Sequence, residues 1–196
     1  CVVGADFRFG ARASGDVATL REFGETHGFN VVAHDLVRAE GAPVTSTRIR
    51  RLIAAGDVAT ARVLLGRPHR LHGTVAPGAG LGQGLGFPTA NLDIDARFAL
   101  PAHGVYAAWA TVTAGRFPAA VSVGAPPSIT DATCELEAHL LGFSGDLYGQ
   151  EVAIGFVERI RGQRPFPNRE TLSAAIADDV ARIATLLADD HDGDRG

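Results

Sequence analysis

Residues 81–92 read LGQGLGFPTANL, and they carry more information about fold and function than any other stretch of this chain. Together with Gly78 and Gly80 they place five glycines within residues 78–86, so that backbone amides can approach a ligand closely. The hydroxyl of Thr89 and the side-chain amide of Asn91 follow directly. Glycine-rich backbone next to a hydroxyl is typical of sites for phosphate and Mg²⁺, although no Walker A Gly-Lys-Ser/Thr is present. A flexible hairpin loop followed by a proline turn is the alternative interpretation.

The composition is that of a globular chain without a strong charge bias. Its length of 196 residues suits one large or two small domains. The residues are 46% hydrophobic, and the formal net charge is −4. Because no basic run is present, we expect no nucleic acid partner. No apolar run approaches the ~18 residues of a membrane span, and no secretory signal is evident, so no membrane association is predicted.

The cysteines and the missing methionine bear on the context of the chain. Cys1 and Cys134 are far apart and belong to no CxxC pair, which argues against a zinc site or a disulfide and favours a reducing, cytoplasmic location. The sequence contains no methionine and begins inside the apolar run CVVG. We therefore expect it to be the C-terminal part of a longer polypeptide.

Residues 1–66 alternate short strands and helices, as the back half of a parallel α/β sheet does. Asp16 is a candidate helix N-cap, and Gly28 and Gly56 are candidate helix ends. The predicted strands lie at 2–3 and 30–34, and the predicted helices at 16–27, 46–55 and 57–65. The break Gly66-Arg67-Pro68 is the predicted domain boundary.

After this boundary, short alternating segments separated by turn residues predict an antiparallel barrel or sandwich. These strands are expected at 71–75, 104–112, 119–123, 134–143 and 151–160. A helix is predicted from Asn168 onwards, because apolar residues recur there at helical spacing: Leu172, Ile176, Val180, Ile183 and Leu187. The predicted organisation is α+β, with an α/β segment at 1–66, a barrel domain with a C-terminal helix at 67–190, and a frayed tail at 191–196.

Six segments in series resemble the riboflavin kinase module of prokaryotic bifunctional riboflavin kinase/FAD synthetases. The match covers roughly residues 67–188 in the family's order. The segments are LGxxLGFPTAN at 81–91, PxxGVYA at 101–107, VSVG at 121–124, LEAHLL at 136–141, GDLYG at 145–149, and Arg161 with Phe166 before a helix. The resemblance implies a small antiparallel Greek-key barrel with a C-terminal helix. It also implies phosphorylation of the ribityl 5′-hydroxyl of riboflavin by ATP, giving FMN and ADP.

The front segment resembles the distal half of the FMN adenylyltransferase module that precedes the kinase in this family. The resemblance rests on VGADFRFG at 3–10 and VTSTRIR at 44–50. It implies a truncated, Rossmann-like nucleotidyltransferase segment in which Ser46, Thr47 and Arg50 lie by the ATP phosphates of the intact enzyme. Hydroxyls at a helix N-terminus, followed by an arginine one turn on, suit that role. Plain helix capping is the alternative.

By the same resemblance, Glu137 is the candidate general base. In the alternating strand LEAHL, Glu137 and His139 share one face, and Leu136, Ala138 and Leu140 share the other. The corresponding glutamate of the family faces the ribityl 5′-hydroxyl, and a carboxylate there can accept the hydroxyl proton. A solvent-facing strand carboxylate is the alternative interpretation.

The resemblance further implies that ATP phosphates contact the glycine-rich loop, and that Thr89 and Asn91 bind Mg²⁺ and the phosphates. Both side chains offer the hard oxygen atoms that Mg²⁺ prefers, although a turn-stabilising hydroxyl and an Asx-turn are the alternatives. Arg161, Phe166 and the C-terminal helix are implied to cover the isoalloxazine ring, while a core plug is the other possibility for Phe166. The loop glycines are Gly78, Gly80, Gly82, Gly84 and Gly86.

Two departures from the family pattern leave a competing function open. Gln83 stands where arginine is usual, so we expect weaker ATP affinity because charge-assisted hydrogen bonds become neutral ones. The segment Pro126-Pro127-Ser128-Ile129 replaces the usual Asn-Pro-Thr-Phe and loses an aromatic side chain. A flavin- or nucleotide-binding module with impaired catalysis is therefore the alternative function. The sequence does not determine the oligomeric state.

The His-x-Gly-His-type turn that opens the family's adenylyl-transfer module does not occur in this sequence. We therefore expect the intact parent protein to adenylylate FMN, but these 196 residues to form no FAD from FMN and ATP. Chromatographic detection of FAD after incubation of this chain with both substrates would contradict the expectation.

Overall fold

The computed structural model describes residues 1–78, 80–124 and 136–190. The chain forms two compact units, Cys1–Arg48 and Ile49–Gly196. Cys134, the segment 126–129 and the tail 191–196 lie outside the described residues. The domain boundary expected at residues 66–68 remains a prediction, since it concerns family modules.

The first unit contains the predicted parallel strand pair. Strand β1 (Val2–Gly4) pairs in parallel with β2 (Val32–His34), and the helix α1 (Val17–His27) connects them. The Asp16 carboxylate caps α1 by accepting a hydrogen bond from the Thr19 amide at 3.0 Å, as predicted. A 3₁₀ turn (Ala11–Ala13) and the short hairpin of β3 (Arg38–Ala39) and β4 (Ala42–Pro43) were not predicted.

Two helices precede the second sheet, and both confirm the sequence prediction. Helix α2 (Ser46–Ala55) ends at Gly56, which has a φ of 82°. Helix α3 (Val58–Leu65) begins at Asp57, whose side chain accepts a hydrogen bond from the Thr60 amide at 3.0 Å. Helix N-termini leave backbone amides unpaired, and the Asp57 side chain satisfies one of them at the start of α3.

Within the described residues, six strands form a closed antiparallel barrel in the order β10-β5-β6-β9-β8-β7, which confirms the predicted barrel. The strands are β5 (His69–Ala76), β6 (Ala90–Ile94), β7 (Gly104–Val112), β8 (Gly115–Val123), β9 (Leu136–Leu140) and β10 (Glu151–Gly162). Strand β6 was not among the predicted strands. Part of the glycine-rich stretch forms a single helical turn, α4 (Leu81–Gly84).

The barrel is packed on both sides of its wall. Alternate residues point inward, and the largest fully buried side chains of this interior include Leu71, Tyr106, Leu136, Ile154 and Phe156. On the outer face, helix α5 (Arg169–Asp189) packs through Ile183 and Leu187 on Val105, Ala107, Val157 and Ile160. Among the described residues, no helix is both long enough and apolar enough to cross a lipid bilayer.

Ile154→Ala tests the barrel interior. Ile154 is fully buried, so truncation leaves a cavity, and we expect the free energy of unfolding to fall by about 2–5 kcal/mol. Urea denaturation followed by the fluorescence of Trp109, the single tryptophan, measures it. The control Val63→Ala removes a side chain that is 77% exposed, and we expect a change within about 0.5 kcal/mol. Equal losses for the two variants would contradict the packing described here.

Candidate functional site

A cavity of about 450 Å³ lies on the outer side of the barrel wall. Its lining comes from the glycine-rich segment and the residues up to Thr89, from the outward faces of β7, β8, β9 and β10, and from the segment 163–169 with the first half of α5. Five of the predicted site residues line it: Gly82, Thr89, Glu137, Arg161 and Phe166. Parts of the chain that are far apart in sequence therefore meet at one concave site.

The register of the barrel strands explains why these residues share a face. Asn91 pairs with Glu137, Glu137 with Ser122, Ser122 with Val105, and Val105 with Arg161. Directly paired residues on neighbouring strands present their side chains on the same face of a sheet. This row follows the outer side of the wall, because the strand neighbours of Asn91, Glu137 and Ser122 point into the barrel core. Arg161 joins the row after a register shift in β10 and lines the same cavity. Glu137 and Asn91 are therefore neighbours on the same side of the barrel wall.

The Glu137 carboxyl is set apart by its surroundings. Its side chain is half-buried at the wall of the cavity, and within the described residues no side chain or backbone amide donates a hydrogen bond to it. Burial disfavours the charged form and raises the pKa of the Glu137 carboxyl. A carboxylate with a raised pKa is a stronger proton acceptor, which is the property required of a general base.

His139 connects the strand of Glu137 to the segment of Thr89. Its Nδ1 lies 2.8 Å from the Pro88 carbonyl oxygen, and since a carbonyl only accepts, Nδ1 carries the proton. The imidazole also meets the Phe87 ring edge-on, with 5.6 Å between ring centroids. The two contacts hold the residue that precedes Thr89 against β9.

The glycines and Asn91 form the wall behind Thr89. A Cβ added at Gly82 would lie 3.0 Å from the Thr89 hydroxyl oxygen, and one added at Gly78 would overlap the Asn91 side-chain amide. Asn91 is buried, and neither it nor Gly78 lines the cavity. A side chain at Gly84 would approach the Arg169 guanidinium at 3.0 Å, while Gly80 and Gly86 have φ of 67° and 85°. Close backbone packing thus accounts for several of these glycines.

The donor set near Thr89 fits a hard divalent cation that is completed by substrate. Thr89, Asn91 and Glu137 offer hydroxyl, amide and carboxylate oxygens in adjacent positions. In the described part of the chain, no three His, Cys, Asp or Glu side chains converge as a metal site. Such a set suits Mg²⁺, which usually takes one or two protein oxygens and completes its shell with phosphates and water.

Arg161 is held by a residue that sequence reasoning missed. Its guanidinium forms a two-point ion pair with Asp179 of α5, with Nε–Oδ2 at 2.9 Å and Nη2–Oδ2 at 2.7 Å. The Phe166 ring lies beneath both Arg161 and Arg164, at 5.5 and 5.0 Å from their Cζ atoms. Asp179 is buried next to the apolar stripe of α5. An acidic residue at such a position in the sequence could have predicted a buried ion pair.

Two further lining residues, Ser122 and Gln163, were also missed. The Gln163 amide donates to the Ser122 hydroxyl at 2.9 Å and to the Val123 carbonyl at 3.3 Å. These bonds hold the segment that follows β10 across β8, next to Glu137. Nothing in the local sequence marks this pair, because the two residues are 41 positions apart.

The residues expected from an adenylyltransferase module lie on α2. Ser46, Thr47 and Arg50 are exposed, and the set that lines the cavity does not include them. The Thr45 hydroxyl accepts the hydrogen bond from the Arg48 amide at 3.1 Å, so capping of this first turn falls to Thr45. The phosphate-binding role of the three residues stays a prediction.

Comparisons with known proteins agree with this geometry. The family model described as riboflavin kinase matches residues 65–187, and the one described as FAD synthetase matches residues 1–48. The bifunctional riboflavin kinase/FMN adenylyltransferase of Pseudomonas fluorescens is 38% identical over 187 residues, which cover 95% of this chain and 60% of that protein. The protein of the same name from Escherichia coli K12 is 35% identical and is covered to 56%. The chain thus spans little more than half the length of these relatives.

A solved structure shares the fold. A crystal structure described as a macrolide-efflux protein from Streptococcus pneumoniae matches 91% of this chain and 57% of its own length. The TM-score is 0.77 and the sequence identity 30%.

Glu137→Gln tests the burial of the carboxyl. A raised pKa means that the folded chain binds the proton more tightly than the unfolded chain. The ionised carboxyl therefore destabilises the fold increasingly as pH rises above the ordinary pKa of a glutamate. We expect Glu137→Gln to be more stable than the wild type at pH 7, with the difference shrinking towards pH 4. Urea denaturation across this range measures it. The control is Glu151→Gln, an exposed position of β10, and a difference independent of pH for Glu137→Gln would contradict the assignment.

Proposed function

The chain belongs to the riboflavin kinase family, and we propose that it transfers the γ-phosphoryl group of ATP to the ribityl 5′-hydroxyl of riboflavin. The products are FMN and ADP. One observation carries the proposal: Thr89, in the segment just before β6, and Glu137, on β9, line the same cavity. A phosphoryl-transfer site needs such a meeting of a phosphate-binding corner and a group that orients or deprotonates the attacking hydroxyl.

In this proposal Glu137 is the general base. The 5′-hydroxyl oxygen attacks the γ-phosphorus, its proton passes to the Glu137 carboxylate, and the bond to the leaving ADP oxygen breaks. The absence of competing donors among the described residues leaves the carboxylate lone pairs available for that proton. The raised pKa of the Glu137 carboxyl reduces the difference in pKa between this proton acceptor and the attacking hydroxyl.

The phosphate end of the substrate is assigned to the residues around Thr89. Thr89 and Asn91 would hold Mg²⁺, which would supply charge neutralisation for the transferring group. The backbone of the glycine-rich segment and the Arg169 guanidinium, which packs on Gly84, would contact the phosphates. Gln83 is exposed in the same glycine-rich segment. Its neutral amide would form weaker hydrogen bonds to phosphate than the arginine that is usual at this position.

The flavin end is assigned to the apolar part of the cavity. Apolar walls and an aromatic ring suit a flat conjugated ligand, and the Arg161 and Arg164 guanidiniums stacked on Phe166 extend that surface. The Asp179 ion pair fixes Arg161 in place. The apolar lining residues are Leu85, Phe87, Val105, Ala120, Phe166, Pro167, Leu172 and Ile176.

The front segment is proposed to be the distal part of an FMN adenylyltransferase module, as the match of residues 1–48 suggests. In the intact parent, Ser46, Thr47 and Arg50 would contact ATP phosphates, and the module boundary would fall at residues 66–68. We further propose that the metal is Mg²⁺ and that the protein acts in the cytoplasm.

The assay is FMN formation from riboflavin and Mg-ATP, measured by chromatography with fluorescence detection. We expect turnover by the wild type and a fall in kcat of about 10²–10⁴-fold in Glu137→Gln, with the KM for riboflavin little changed, because the base acts in the transition state. Glu151→Gln, the same chemical change at an exposed position of β10, should retain turnover.

Two outcomes would contradict these assignments separately. Near wild-type turnover of Glu137→Gln would show that another group accepts the proton. Binding of riboflavin and ATP by the wild type with no FMN formed would favour the alternative of a binding module with impaired catalysis.

A further inference from the structure

The backbone pairing that joins the segment of Thr89 to β9 is short. Strand β9 pairs with β8 along its whole length, whereas among the described residues it pairs with β6 only at Glu137 and Ala138. One further residue of the same register would set Thr89 opposite His139, but β6 begins at Ala90. Thr89 therefore lies just outside the strand pairing that fixes its neighbours, although it lines the cavity together with Glu137.

A side chain continues the attachment where the strand pairing ends. Pro88 has no N–H group and cannot donate to a strand ladder. Its carbonyl oxygen accepts a hydrogen bond of 2.8 Å from Nδ1 of His139, and the Phe87 ring meets the same imidazole edge-on. His139 lies on β9 two residues from Glu137 and lines the same cavity, which we call the first cavity. The imidazole thus connects the residue before Thr89 with the strand of Glu137.

We propose that His139 is a positioning residue for the phosphoryl transfer, an inference that rests on the function proposed above. The oxygen that accepts the His139 proton belongs to the peptide group between Pro88 and Thr89. Because a peptide group is planar, the hydrogen bond fixes the orientation from which the Thr89 side chain projects. Thr89 is the proposed Mg²⁺ ligand, so this orientation sets the distance between the bound phosphates and the Glu137 carboxylate. Phosphoryl transfer depends on such positioning.

Two substitutions separate the hydrogen bond of His139 from its ring packing. His139→Phe keeps an aromatic ring beside Phe87 and removes the donor. His139→Asn removes the ring, but its side-chain amide nitrogen can occupy nearly the position of Nδ1 and donate to the Pro88 carbonyl. The flavin end of the first cavity is assigned to other segments, so the loss of the donor should act on the Mg-nucleotide and not on riboflavin.

The test compares Mg-ADP binding, measured by calorimetry, with the kinetics of FMN formation. We expect His139→Phe to weaken Mg-ADP binding and to raise the KM for Mg-ATP by about 10–100-fold, as the loss of groups that orient metal ligands does. The KM for riboflavin and the urea denaturation midpoint should stay close to those of the wild type, and His139→Asn should recover most of the affinity. The control His72→Phe makes the same change at an exposed position of β5, which lines a second cavity of about 260 Å³, and should match the wild type.

The outcomes separate this inference from the proposed function. If the wild type binds Mg-ADP but forms no FMN, the proposed function fails, and the Mg-ADP affinities of the variants still decide the role of His139. Equal affinity in His139→Phe and the wild type, no recovery in His139→Asn, or an equal rise in both KM values would overturn the inference. Nitrogen NMR of the neutral imidazole should show the proton on Nδ1, and a proton on Nε2 would also overturn it. A wild type that does not bind Mg-ADP would overturn both.

Discussion

The pairing of β9 between β6 and β8 is the constraint on which the first cavity depends. It sets Glu137 beside Asn91 on one side and beside Ser122 on the other. Since side chains alternate along a strand, a slip of one residue would turn Glu137 into the core and bring Leu136 to the cavity. An ionised carboxylate in that apolar interior would be strongly unfavourable. The packing of the barrel and the orientation of the proposed base therefore follow from the same alternation.

Of the charged residues at the first cavity, Arg161 has an ion-pair partner and Glu137 has none among the described residues, and this difference suits the proposed chemistry. Helix α5 carries Asp179 to Arg161, so that this partly buried cation has a matching anion. Glu137 has no such partner among the described residues, and its burial raises the pKa of the carboxyl. A structural ion pair would lower the pKa of a carboxyl instead. Perturbed acids in clefts are more frequent at functional sites than elsewhere, which supports the role proposed for Glu137.

The elements predicted from the sequence are those whose signals are local. Asp16, Asp57 and Asn168 each cap a helix through the amide three residues later, so the signal and the contact lie in one short segment. Strand β6 escaped prediction because its formation depends on pairing with β5 and β9. In the same way, the glycine-rich stretch was expected to be a loop, whereas Gly80–Leu85 includes a helical turn.

The sequence by itself determined the helix ends, the alternation that places Glu137 and His139 on one face, and, through its motifs, the family. Only the tertiary structure decided which segments meet: Thr89 with Glu137 at the first cavity, Arg161 with Asp179, and Gln163 with Ser122. Capping and alternation are interactions between residues a few positions apart, which a motif can encode. Closure of the barrel instead depends on hydrogen bonds and packing between distant strands, so no single segment contains the information.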